Sequence, residues 1–187
     1  MSNYFVLECY GPEDEDRAAI GEIIDEPEVS WNLGRQISDK VKTPIEVHLD
    51  PDEPGVLLPM FERNVLLMRD DMLAVLRACG VDNLQLFDAV VVDPATSKRH
   101  TNYKVVNIIG LVACADLKKS VYTAYRDPPM LDTDFDVLAI DESKIADVSF
   151  FRLAECVSAK LVHRRVKEAL EKSVPMLNFV PPEEWSG

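Results

Sequence analysis

Glycine is scarce in this chain, and the glycines that occur stand far apart. The seven glycines are at positions 11, 21, 34, 55, 80, 110 and 187. A loop that cradles a phosphate needs glycines a few positions apart, so that backbone N–H groups can approach the anion. The spacing therefore excludes the Walker and dinucleotide-binding fingerprints, and we predict no cofactor.

The motifs of metal-dependent and nucleophilic catalysis are missing as well. The sequence contains no CxxC, HExxH or GxSxG, and its three histidines are scattered at His48, His100 and His163. A zinc site or a catalytic triad would need three distant segments to converge. We predict that the protein is not an enzyme. A hydrolase whose histidines meet acids in a cleft stays open as an alternative.

The four cysteines are not spaced like metal ligands or a disulfide framework. They are Cys9, Cys79, Cys114 and Cys156, each with apolar neighbours. Apolar surroundings raise the pKa of a thiol and make it unreactive, so we predict reduced, buried thiols that act as small hydrophobic side chains. Reduced thiols are typical of the cytoplasm.

Long apolar runs and a surplus of basic residues are also missing. No run reaches the roughly 18 apolar residues of a membrane-spanning helix, and residues 1–4 lack the basic start of a secretory signal. Lys and Arg number 20 against 33 Asp and Glu, which gives a formal net charge of −13. Phosphate binding needs surplus positive charge. We expect a soluble cytoplasmic protein that binds neither nucleic acid nor membrane.

The apolar pattern predicts an α+β fold, in which a mostly antiparallel sheet carries helices packed on it. Strands are predicted at 3–10, 44–49, 65–68, 84–92, 103–112, 135–140, 148–153, 159–162 and 177–180. Helices are predicted at 70–79 and 164–172, and a short helical turn around 17–24. The nearly continuous apolar arms of the 84–112 hairpin indicate a sheet at the centre of the protein. No long linker occurs, so 1–187 is predicted to be a single domain.

Two segments of the chain follow the same strand–helix–strand order. When the first is shifted by 94 positions, Met72, Val75 and Leu76 align with Val166, Ala169 and Leu170. Asp70 or Asp71 can accept free N–H groups at the start of the first helix, and Gly80 can supply the left-handed residue after its end. The fold is therefore predicted to contain two similar strand–helix–strand units.

Negative charge is abundant and clustered. Acidic residues concentrate at 13–16, 25–28, 50–53, 127–136 and 141–147, whereas basic residues concentrate near 160–167. Such clusters are either a solvated, self-repelling surface or a surface that attracts a basic partner, and Trp31 and Trp185 are either interface anchors or ordinary packing. The candidate partner-binding residues are Glu13, Asp14, Glu15, Asp16, Asp25, Glu26, Trp31, Asp50, Asp52, Glu53, Asp132 and Asp134.

One acidic turn is spaced like the start of a calcium loop. Asp132, Asp134 and Asp136 alternate as the first three ligands do, but Val137 and Ser143 stand where the loop needs Gly and a bidentate Glu. We predict an exposed acidic turn without a resident metal, with opportunistic cation binding as the alternative.

The order of several short motifs is similar to that of a known family. The motifs are VLLMRDDMLAVL (65–76), GVDNLQ (80–85), YKVVNI (103–108), AD (115–116) with Ser120, IDESKI (140–145), FRL (151–153), LVHRRVKEAL (161–170) and FVP (179–181). Together they resemble a family of bacterial immunity proteins of polymorphic toxin systems, the immunity-eleven class, formerly a domain of unknown function. The resemblance covers residues 60–182.

The resemblance implies a cytoplasmic protein that binds and neutralises a cognate toxin, encoded by the adjacent gene, without catalytic residues of its own. His163 stands where the family has a capping Ser, which predicts a weaker cap, and Met176 stands near a common Gly, which predicts a different turn. Residues 59–187 would be the family-like core. Residues 1–58 would be a variable acidic part that carries some of the partner specificity.

Two further interpretations stay open. A ligand-binding or sensory α+β module would contain an apolar pocket with a few converging polar groups. Exposed edge strands could also pair two copies into a symmetric homodimer.

Overall fold

The structure, a computed structural model, describes residues 2–9, 17–53 and 55–187. These residues form strands paired mostly antiparallel and two α-helices, which confirms the predicted α+β class. The strands are β1 Tyr4–Glu8, β2 Ile20–Ile24, β3 Ile45–Leu49, β4 Met60–Glu62, β5 Leu66–Arg69, β6 Leu84–Asp93, β7 Lys98–Ile108, β8 Leu111–Val112, β9 Val121–Thr123, β10 Asp134–Val137, β11 Phe150–Leu153, β12 Lys160–His163 and β13 Asn178–Val180. The helices are α1 Asp70–Ala78 and α2 Arg164–Ser173.

The strands form three sheets, where we had predicted one. A five-stranded sheet has the order β13-β1-β12-β11-β8, a six-stranded sheet has the order β2-β3-β6-β7-β5-β4, and β9 pairs only with β10. The prediction of one sheet was wrong because strand partners lie far apart along the chain. For example, β1 pairs with β12 and β13, near the other end of the chain.

The hairpin β6–β7 lies in the middle of the six-stranded sheet. Val91 and Val105 are both fully buried in it. Its turn is held by Asp93, whose Oδ1 accepts the Ala95 N–H at 2.9 Å. The segment after β7 does not continue the hairpin, because β8 pairs parallel with β11 in the other sheet.

In each of the two strand–helix–strand segments, the two strands are not paired with each other, because a strand from elsewhere in the chain lies between them. In the first, β5 and β6 both pair antiparallel with β7, and in the second, β12 and β13 both pair antiparallel with β1. The helices α1 and α2 contact each other. That the two units are alike in three dimensions stays a prediction.

Specific local contacts stabilise the end of α1 and the start of α2. After α1, Gly80 has φ +79°, and the Val81 N–H reaches the Leu76 carbonyl at 3.0 Å, so the predicted glycine-terminated end is confirmed. At the start of α2, Nδ1 of His163 accepts the Arg165 N–H at 3.2 Å. The imidazole of His163 therefore supplies a side-chain cap, and that this cap is weaker than one from a serine stays a prediction.

The acidic segment near the start of the chain forms a strand in place of the predicted helical turn. Residues Ile20–Ile24 pair antiparallel with β3. Ile20 is buried in the core, so burial against the rest of the sheet outweighs the local preference that the acidic residues indicated.

The core has two parts, one on each face of the five-stranded sheet. The larger part lies between that sheet and the six-stranded sheet and includes Leu7, Leu67, Met72 and Val166. The smaller part includes Val6, Leu161 and Phe135, because neighbouring residues of a strand face opposite sides.

The described residues before position 59, namely 2–9, 17–53 and 55–58, belong to this architecture. The strands β1, β2 and β3 contribute to both large sheets, and β1 is an interior strand, so no structural boundary lies at 58/59. No helix of the described residues is long and apolar enough to cross a membrane.

Candidate partner interface

The ribbon formed by β9 and β10 has one buried face and one exposed face. On the buried face, the Phe135 ring lies 5.9 Å from the Tyr122 ring, and both pack on the smaller part of the core. On the exposed face, Val121 pairs across the strands with Val137. These two residues are 54% and 36% exposed.

Exposed apolar side chains concentrate around this ribbon. The described residues contain six large hydrophobic side chains that are exposed: Leu33, Val56, Val121, Tyr125, Val137 and Met176. Three of them belong to the ribbon or the residues that follow β9. The most exposed is Tyr125 at 66%, whose hydroxyl donates to Oδ2 of Asp134 at 2.6 Å. A concentration of exposed apolar groups is typical of a surface that binds another molecule.

Two of the predicted partner-binding acids border this apolar surface. Asp134 holds Tyr125, and Asp132 accepts two hydrogen bonds from Arg126, at 3.0 and 2.7 Å. The Arg126 hydrogen bonds hold the pKa of Asp132 below its ordinary value, so its carboxylate is ionised at neutral pH. We call Val121, Tyr125, Val137, Asp132 and Asp134 the β9–β10 patch.

The same carboxylates do not assemble a calcium loop. Asp132 and Asp134 are engaged by Arg126 and Tyr125. In the part of the chain that the structure describes, no group of three or more His, Cys, Asp or Glu side chains converges as metal ligands.

The other predicted acids lie elsewhere. Asp25 forms an ion pair with Lys42 at 3.0 Å, and Glu26 accepts the Asn64 amide at 3.1 Å, both beyond one end of the β2–β3 pair. The second cluster, Asp50, Asp52 and Glu53, follows β3 at the opposite end of that pair, where Oδ1 of Asp50 accepts the Asp52 N–H at 2.9 Å. Residues 13–16, namely Glu13, Asp14, Glu15 and Asp16, lie outside the described residues. Those predicted acids that the structure describes thus do not meet in one surface.

Both tryptophans belong to the core. Trp31 is 5% exposed and stands edge-on to the Phe87 ring at 5.3 Å. Trp185 is 6% exposed, and its indole N–H donates to Glu8 at 2.8 Å. Their alternative interpretation as ordinary packing is therefore the one that the structure supports. Among the described residues, the large aromatic side chain that is exposed is Tyr125, which we had not singled out from the sequence.

The histidines do not form a common site. His48 contacts Glu46 at 2.8 Å, and Glu46 in turn accepts a hydrogen bond from Arg99 on β7. His100 follows Arg99 in β7 and so points to the opposite face of the sheet. His163 caps α2. The geometry required by the alternative of a dispersed hydrolase is absent from these residues.

The cysteines are unpaired, and three of them, Cys9, Cys114 and Cys156, are buried, whereas Cys79 is half-buried. Burial raises the pKa of Cys9 and the pKa of Cys114 to about 12 each. A thiol with so high a pKa is protonated at neutral pH and is a poor nucleophile.

A buried cluster of charges that the sequence patterns did not predict joins the two large sheets. Glu62 on β4 accepts hydrogen bonds from Arg152 on β11, at 2.9 Å, and from Lys160 on β12. Arg152 is 1% exposed and Lys160 is 4% exposed. Each basic residue is flanked by apolar residues along the chain. A single Lys or Arg in such a stretch is ordinarily predicted to face solvent, so the sequence pattern does not indicate that these two residues are buried.

The charges in this cluster shift one another's ionisation. Burial lowers the pKa of Lys160, although the Glu62 carboxylate opposes the effect. Burial alone would raise the pKa of Glu62, but the attraction of Lys160 and Arg152 is larger and leaves that pKa below its ordinary value.

Comparison with known proteins leaves the family open. No protein-family model matches the chain, and no curated protein matches it either. The resemblance to immunity proteins therefore stays a prediction.

Proposed function

We propose that this protein is an immunity protein, which binds a cognate bacterial toxin and neutralises it by protein–protein contact. The observation that supports the proposal is the β9–β10 patch, where exposed apolar side chains stand beside two exposed carboxylates. The order of motifs along residues 60–182 supports the immunity class.

The patch has the composition of the centre of an interface. Tyrosine is among the residues that most often dominate binding energy, because a large ring is buried at a small entropic cost. Tyr125 is held by its hydrogen bond to Asp134 and is already oriented before a partner arrives. The Val121–Val137 pair adds exposed apolar surface on the same ribbon.

The charge of the patch and of the whole chain favours a basic partner. Asp127 and Asp136 are exposed near the patch, in addition to its own two acids. The formal net charge of −13 adds a long-range field of the same sign. Such a field speeds the association of a positively charged toxin and raises specificity through complementary charge. The bound protein would neutralise the toxin by covering or distorting its active site.

The test is co-expression with the toxin encoded by the adjacent gene. We expect growth to be rescued and a complex to be isolated, with an interface of about 1,200–2,000 Å² if it is of standard size. Failure to bind this neighbour and failure to relieve its toxicity would show the proposal to be wrong.

Variants of the patch locate the interface. We expect Val121→Asp and Tyr125→Ala to weaken the complex by about 30-fold, the effect of losing roughly 2 kcal/mol at a central contact. The matched control is Val56→Asp, because Val56 is 53% exposed against 54% for Val121 and lies next to the acidic loop 50–53. If Val56→Asp abolished binding and Val121→Asp did not, the interface would lie at that loop and not at the β9–β10 patch.

A further inference from the structure

The strand β9 has one edge that no described strand covers. It pairs only with β10, through one of its two edges. The outer edge of β10 is closed, because the Phe135 N–H donates to the Gly187 carbonyl at 2.7 Å and the Gly187 N–H donates to the Phe135 carbonyl at 3.0 Å. Within the described residues, the ribbon is therefore closed along β10 and open along β9.

The direction of the Tyr122 backbone follows from these bonds. Phe135 lies opposite Tyr122 in the ribbon and uses both of its backbone groups on Gly187, so Tyr122 and Phe135 are a pair without mutual hydrogen bonds. In an antiparallel pair of this kind, each residue points its N–H and C=O away from the other. The Tyr122 N–H and C=O therefore point outward from the open edge, and no described residue bonds either of them.

The open edge is accessible, since the residues on each side of Tyr122 are exposed. Val121 is 54% exposed, and Thr123 is exposed as well. Buried backbone groups are nearly always hydrogen-bonded, so the unpaired groups of Tyr122 fit an edge that faces solvent. Unpaired N–H and C=O groups at a sheet edge are a template for pairing with a strand of another chain.

The side chains around the edge favour a basic strand. Val121, Thr123, Val137 and Asp134 lie on the exposed face of the ribbon, because residues opposite each other in a strand pair share one face. Residues 116–137 contain five aspartates against three basic residues, a formal net charge of −2. A second copy of this chain would bring the same negative charge to the edge, whereas a basic segment would be attracted to it.

We propose that an extended segment of the toxin, with basic and apolar side chains, adds a strand to the open edge of β9. This inference rests on the proposed function, because the occupant of the edge is the toxin. The added strand exchanges hydrogen bonds with the N–H and C=O of Tyr122, which gives affinity, and its side chains give specificity. An apolar side chain of the toxin lies against Val121, and a basic one reaches Asp134.

Amide hydrogen exchange of the free full-length chain tests the edge without the toxin. We expect the Tyr122 amide to exchange close to the rate of an unstructured peptide, and the Phe135 amide, which is bonded to Gly187, to exchange about 100-fold more slowly. Protection of Tyr122 in the dilute chain would overturn the open edge. Protection that appears only as the protein concentration rises would assign the edge to a second copy and overturn the toxin as its occupant.

The complex with the toxin of the adjacent gene tests the occupant. We expect binding to slow the exchange of the Tyr122 amide at least tenfold. Incorporation of hydroxyphenyllactate at position 122 replaces the Tyr122 N–H by an ester oxygen and keeps the ring. This ester should weaken binding about fivefold to tenfold, the effect of losing one hydrogen bond. The matched control is tyrosine at the same position, and the melting temperature of the free chain should be nearly the same with either residue.

The outcomes separate this inference from the proposed function. If the toxin binds without slowing the Tyr122 amide, or binds the ester variant equally well, strand addition is wrong and contact through the side chains of the β9–β10 patch stands. If the toxin does not bind at all, the proposed function and strand addition are both wrong. If the ester variant does not fold, the exchange of the Tyr122 amide in the wild-type complex decides.

Discussion

Three charged residues that lie far apart in the sequence act as one unit once they are buried. Glu62 balances Arg152 and Lys160, and the three residues belong to strands of two different sheets. A substitution that leaves a buried charge without its counter-charge lowers the free energy of unfolding strongly, whereas one that leaves an oppositely charged pair lowers it less. The stability effect of each substitution therefore depends on what charge it leaves behind.

Two substitutions in the cluster should therefore lower stability by different amounts. Glu62→Gln leaves two buried cations without a carboxylate and should lower the free energy of unfolding by about 3–5 kcal/mol. Lys160→Met keeps the Glu62–Arg152 pair and should cost clearly less. Urea denaturation at pH 7 measures both, and Glu168→Gln on the surface should stay within about 0.5 kcal/mol of wild type.

The pH dependence of the free energy of unfolding, measured on the same variants, tests whether the Glu62 carboxylate stabilises the fold as a counter-charge. The pKa of Glu62 is lowered in the folded state, so its contribution to stability is full above its unfolded pKa and is lost as the pH falls through its folded pKa. The gap between wild type and Glu62→Gln should therefore narrow in acid. A gap that does not change with pH, or a larger cost for Lys160→Met, would contradict the role of Glu62.

At the scale of helices and strands, local signals predicted what local forces determine. Helix α1 and its end at Gly80 follow from apolar spacing and one left-handed residue. The hairpin β6–β7 follows from two apolar runs and a turn at Asp93. In each case the sequence pattern that predicts the element lies within the element itself.

Pairing between strands that are distant in sequence could not be predicted, because no local sequence pattern indicates which strands pair. The residues of β2 were interpreted as a helical turn because their strand partner, β3, lies more than 20 positions away. The three-residue strand β4 was too short to recognise. The β9–β10 patch was found only in part: its acids were predicted from charge, whereas Val121 and Tyr125 became visible as exposed residues only in the folded chain.

The turn between α2 and β13 offers a prediction about one element. Met176 has φ +63°, a left-handed conformation that a side chain makes unfavourable, and its side chain is 39% exposed. Glycine removes this strain but adds freedom to the unfolded chain, so Met176→Gly should exceed Met176→Ala in stability by about 0.5–1 kcal/mol. Urea denaturation of the two variants measures the difference. Equal stabilities would mean that the turn relaxes without cost.

At the scale of the whole molecule, the two large sheets share one core. Side chains from both sheets and both helices pack in its larger part, and the Glu62 cluster links the sheets beside it. Shared packing of this kind couples the sheets, because neither can bury its inner face alone. We therefore expect one cooperative unfolding transition for the full chain, as the prediction of a single domain requires.

The position of β1 gives the sharpest test of this coupling. Val6 and Leu7 are almost fully buried on opposite faces of β1, which stands between β12 and β13. A chain of residues 59–187 would leave those two strands without their shared neighbour and open both parts of the core. We expect this shorter chain to lack near-UV circular dichroism and a cooperative urea transition, which the full chain measured alongside it should show. If residues 59–187 folded cooperatively by themselves, the first 58 residues would be an appendage, and the division predicted from the family resemblance would be correct.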